Sequence, residues 1–147
     1  MDNATLTAKM IDMALESGAC AAGVTTIETL SGGPPSTDLS YVLPGARSAL
    51  TFALPLDQDK VEDYLAKRDR EAHQKDYSHT GTFATGLAHE IASYMDFFGH
   101  KSIGVQSNEV YRNDDQVQPR HMVPDISHRL LALRGGVAWV GLSGNVL

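Results

Sequence analysis

The chain has 147 residues, 42% hydrophobic and 20% charged, with a formal net charge of −6. That length suits one domain, and the composition is ordinary for a globular chain, so disorder is not the default. The negative balance argues against a general nucleic-acid surface or an anionic-membrane binder, since both need a basic face. The only cysteine is Cys20, so no intrachain disulfide forms, and these residues alone hold neither an iron–sulfur cluster nor a structural zinc. The N-terminus starts acidic and becomes amphipathic, unlike a signal peptide, and no apolar run nears the roughly 20 residues of a membrane span. The cytoplasm is the expected address.

In chain order, residues 4–17 read as a helix with Leu6, Met10, Met13 and Leu15 on its apolar side and Gly18 as its stop. Ala21 to Ile27 is a run of small and β-branched residues, expected as a buried strand, with Cys20 beside it as a small buried residue. Leu30 to Pro44 carries Gly32, Gly33, Pro34, Pro35 and Pro44 and reads as a loop. Arg47 to Leu54 is the best strand of the chain, apolar enough to be covered on both faces. Gln58 to Lys75 is highly charged and reads as a solvated helix leading into a flexible segment.

Phe83, Leu87, Ile91, Tyr94 and Phe98 recur at three- and four-residue intervals and predict the longest helix, Thr82 to Phe98, capped by Gly99. Ser102 to Gln106 is expected as a short strand, and 107–124 as a long polar loop of the kind that often carries function. Ile126 to Leu133 reads as a short helix ended by Gly135 and Gly136, and Val137 to Gly141 as a turn or strand. The alternation of strands and helices predicts a single α/β domain over 1–147, an α+β sandwich whose sheet is covered by helices, with strand order left open.

The chemistry-bearing residues are few. His121, Asp125 and His128 lie four and three apart, a spacing that on one helix would put imidazole and carboxylate together for metal binding or proton exchange. Pro124 interrupts that helix, which leaves open that Asp125 N-caps it while His128 packs or faces solvent. His89-Glu90 lacks the second histidine of a zinc-protease motif, and His73, His79 and His100 read as surface residues. Arg112 and Arg120 sit in the polar loop, where they would meet an anionic group or simply solvent. No glycine run matches a P-loop or dinucleotide fingerprint. Gly141-Leu142-Ser143-Gly144 would let a flat cofactor approach the backbone.

Taken together, the last strip is more specific than its parts. Ile126-Ser127-His128-Arg129, then Arg134-Gly135-Gly136-Val137-Ala138-Trp139-Val140-Gly141-Leu142-Ser143-Gly144-Asn145-Val146-Leu147, resembles the Trp-Gly strip of epoxyqueuosine reductase-like iron–sulfur proteins, a superfamily that also holds the corrinoid reductive dehalogenases. Leu43-Pro44-Gly45-Ala46-Arg47-Ser48-Ala49-Leu50-Thr51-Phe52-Ala53-Leu54-Pro55-Leu56 is similar to that family's Leu-Pro-Gly-Ala-Lys-Ser strand. Ser17-Gly18-Ala19-Cys20-Ala21-Ala22-Gly23-Val24 is similar to an early segment of it. Two positions depart from the pattern: Ala138 stands where the family has glycine, and Leu142 where it has lysine.

The resemblance implies a nitroreductase-like α/β domain that binds cobalamin in complete members and is followed by a module with 4Fe–4S clusters. This chain is then expected to be the N-terminal part of such a protein, with the cluster ligands beyond Leu147. It implies a reductase of a small molecule or modified nucleoside. The family's proton-donating aspartate aligns with Met122. His121, His128 or Tyr111 are the expected proton donors here, and Trp139, Gly141, Ser143, Gly144 and Asn145 the expected cofactor contacts. Two alternatives stand beside it, a non-catalytic interaction or scaffold domain on the same fold and a domain that binds FMN. The apolar end of the strip also leads us to expect self-association as a homodimer.

Overall fold

The computed structural model describes residues 2–107, 110–113 and 122–142. Its elements are α1 (Asn3–Glu16), β1 (Ala21–Thr26), a 3-10 turn (Pro35–Thr37), α2 (Leu39–Val42), β2 (Ser48–Ala53), α3 (Gln58–Leu65), α4 (Arg70–Phe97) and α5 (His128–Arg134). The chain is mixed α/β, and the sheet among the described residues is two-stranded and antiparallel, with Ala22 opposite Phe52 and Val24 opposite Leu50.

Alternation along the two strands explains the layers. Ala22, Leu50 and Phe52 pack on the cluster of Leu6, Met10, Ala14, Ala19, Leu87 and Ile91, which joins α1 and α4. On the other parity, Ala49 packs on Leu30, Leu39, Ile126 and Leu131, the cluster that carries α5. Helices therefore cover both faces of the sheet, as the apolar character of β2 predicts. On α1 the buried residues are Leu6, Met10 and Ala14, while Leu15 is exposed; Ala14 completes the i, i+4, i+8 row and Leu15 falls off it.

Several expectations are corrected. The 30–44 segment is not all loop, because Asp38 caps α2, accepting from the Ser40 N–H at 3.0 Å, and Leu39 is buried in the core. The longest helix starts at Arg70, not Thr82. Asp69 accepts from the Ala72 N–H at 2.9 Å, and Glu71 pairs with Lys75 across one turn at 2.6 Å, so the charged stretch is helical where flexibility is expected. Its charges do face solvent, and α3 contains no buried residue. Ser102–Gln106 forms no strand. Its groups are taken elsewhere: the Ser102 N–H donates to Asp96 at 2.7 Å, the Val105 carbonyl accepts from His128, and Gly104 lies so close to α4 that a Cβ there would be 2.8 Å from the His89 nitrogen. Cys20 is exposed rather than buried, its thiol 3.4 Å from the Ala53 carbonyl.

Candidate functional site

The strip that opens at Ile126 is mounted by α5. That helix begins at His128 because Ser127 is its N-cap, with Oγ accepting from the Leu130 N–H at 3.3 Å. Asp125 is therefore not the cap. It lies outside the helix, is buried, and accepts from the Ile126 N–H at 2.7 Å, so it shares no helical face with His128. The Ser127 N–H donates to the Ser36 carbonyl at 2.7 Å, which fastens the start of α5 to the 3-10 turn.

The far end of α5 closes as the paired glycines predict. The Val137 N–H reaches the Ala132 carbonyl at 2.9 Å and the Gly136 N–H the Leu133 carbonyl at 3.3 Å, with Gly136 at φ +71; this is a Schellman ending, which favours glycine at the left-handed position. Gly135 then meets β1. A Cβ on Gly23 would collide with the Gly135 carbonyl and sit 3.1 Å from Val137 Cγ2. Glycine at 23 is thus what lets the strip lie against the sheet.

Beyond that contact the strip turns outward. Trp139 is 69% exposed, and Val140 and Leu142 are exposed beside it in sequence. Gly141 is half-buried between them. Of the expected cofactor contacts, Trp139 and Gly141 are thus placed on one open apolar strip, while Ser143, Gly144 and Asn145 lie outside the described residues.

Two of the three expected proton donors lie among the described residues. His121 lies outside the described residues. His128 is half-buried with Nε2 3.2 Å from the Val105 carbonyl; a carbonyl has no proton to give, so Nε2 carries the hydrogen and is committed to that bond. Only Nδ1 is left for chemistry. Tyr111 is exposed and bridges Pro124, where the Arg112 N–H donates to the Val123 carbonyl at 2.8 Å and the Asp125 N–H to the Val110 carbonyl at 3.0 Å. Met122, at the position of the family's acid, is exposed with φ +45, a backbone region uncommon outside glycine.

Arg112 is the residue the sequence misplaces most. It is buried, 6% exposed, donates from Nη1 to the Pro35 carbonyl, and stacks on Tyr41 with its guanidinium 4.0 Å from the ring centroid. The Asn113 N–H donates to the Tyr41 hydroxyl at 3.1 Å. The arginine is a strut between 110–113, the 3-10 turn and α2. Nothing in its local sequence signals this, because its partners are some 70 residues away.

The fit to the implied cofactors is uneven. A cluster needs several thiolates, and the chain has one cysteine; among the described residues no group of three His, Cys, Asp or Glu is placed to hold a metal ion. The clusters therefore do not fit these residues. Two cavities, of about 360 and 430 Å³, are lined by other residues, and what the described part of the strip offers a corrin is an apolar wall at Trp139. No helix of the described residues is long and apolar enough to cross a membrane. Compared with protein-family models, curated proteins and solved structures, the chain matches none.

Proposed function

We propose that this chain is the corrin-facing, nitroreductase-like domain of a corrinoid- and iron–sulfur-dependent reductase acting on a small molecule or modified nucleoside, with its clusters held outside these residues. One observation supports the reading above the others. The three segments that carry the resemblance are far apart in sequence, yet 17–24 and 43–56 supply the paired strands β1 and β2, and 126–142 packs on both through α5. That the segments carrying the resemblance pack together in the fold is what supports the reading.

When bound, a corrin supplies low-potential electrons. The chain's own part is to present Trp139 and the Gly141 backbone as a flat apolar wall. Tyr111 is the proton donor this reading favours, because Tyr111 is exposed whereas His128 Nε2 is committed to the Val105 carbonyl.

The exposure of Trp139, Val140 and Leu142 also favours a second reading, an interaction domain whose strip docks a protein partner. Equilibrium dialysis of the chain against hydroxocobalamin and, separately, FMN separates these. Stoichiometric retention of hydroxocobalamin is the expected result. Retention of FMN alone assigns the domain to flavin chemistry, and retention of neither leaves the interaction reading.

A further inference from the structure

We infer that the α3–α4 hairpin is a hinged arm whose flexing point is the Gly81–Gly86 stretch of α4. The helix has 28 residues, about 42 Å at 1.5 Å per residue, but its only buried residues are Leu87 and Ile91. Residues 70–86 bury none, and neither does α3. The half of α4 that reaches the core and the half that carries α3 meet at Gly81-Thr82-Phe83-Ala84-Thr85-Gly86.

Both glycines are costly in a helix interior, because they lose the most backbone freedom on folding. Packing does not explain them. A Cβ at Gly81 or Gly86 would meet nothing within 4 Å among the described residues, in contrast to Gly23 and Gly104, where neighbouring backbone forbids one. Two back-bonds fall on the same stretch, from the Thr82 hydroxyl to the Ser78 carbonyl and from the Thr85 hydroxyl to the Gly81 carbonyl, each 3.0 Å. Such bonds compete with the helix ladder and bend it.

The arm is internally tied. Lys60 pairs with Asp57 at 3.1 Å and Asp76 at 3.7 Å, the Asp57 N–H donates to Asp76 at 2.9 Å, and Tyr64 stacks on His73 with ring centroids 4.5 Å apart. It therefore moves as a unit about the glycines. The hinge borders a cavity of about 430 Å³ between the end of α1 and α4, lined by Ser17, Phe83, Gly86, Leu87 and Glu90, so flexing there widens or narrows that groove.

Hydrogen exchange and electron-resonance distances on the full chain test this, with wild type beside a Gly81→Ala, Gly86→Ala double variant. Amides of 74–86 are expected to exchange at least ~10-fold faster than those of 88–97 in wild type, and the variant to slow only the former, by roughly 5- to 30-fold. Spin labels on Cys20 and on a Glu62→Cys substitution are expected to give a broad distance distribution that narrows in the variant. Equal protection of both halves of α4 in wild type, or one narrow distribution in both proteins, overturns the hinge.

Discussion

Gly23 and Gly135 lie more than a hundred positions apart and touch through backbone alone, and that contact decides where the Trp139 strip sits. A methyl at residue 23 would collide with the Gly135 carbonyl, so Gly23→Ala is expected to destabilise the fold by about 1–3 kcal/mol, the range for overpacking, measured as a lowered urea midpoint at unchanged slope. Ser127→Ala removes the cap of α5 and is expected to cost ~1 kcal/mol, whereas Ser127→Asp should restore most of it. At this scale the sequence was legible where local rules govern. The paired glycines after Leu133 announce a C-cap, and they form one. Arg112 and Cys20 were illegible, because burial of a long polar side chain or exposure of a small one depends on partners that fold in from a distance.

Among the elements, α3 shows most plainly how charge replaces a core. Asp57 caps it, accepting from the Asp59 and Lys60 N–H groups at 3.1 and 3.3 Å, and the Lys60 ammonium and N–H hold its carboxyl below the usual aspartate range. A carboxyl whose folded value is depressed contributes stability above its ordinary value, about 4, and that contribution is lost as pH falls through the depressed value. Acidification from pH 5 to about pH 2 is therefore expected to lower the protection of the α3 amides, read as exchange relative to the unfolded sequence at each pH, and Asp57→Asn to make that protection less pH-dependent. High salt should blunt the same effect, since the group is exposed. Helix periodicity located α1, α4 and α5 in the sequence, but the start of α4 was missed because its first three turns carry no apolar stripe and rest on Asp69 and the Glu71–Lys75 pair. The 102–106 segment has strand-like residues and no strand, because its hydrogen-bonding groups are claimed by Asp96 and His128.

Over the whole molecule, the near-continuous apolar run of β2 announced a sheet covered on both faces, and two apolar clusters do cover it. Strand order was beyond periodicity, which says which face of a strand is buried and nothing about which strands lie beside it. The expectation that Asp125 caps the helix before His128 is corrected, since Ser127 is the cap; a proline at 124 marks the helix start only to within a few residues. In the proposed function the α5–β1 contact presents Trp139 as a wall for a corrin. Trp139 is the only tryptophan of the chain, so its fluorescence titrated with hydroxocobalamin, corrected for absorption by the cobalamin, reads corrin contact at that wall directly. Saturable quenching is the predicted result, with affinity weakened at least ~10-fold in a folded Gly23→Ala protein. Quenching that never saturates, or saturates equally in both proteins, would contradict it.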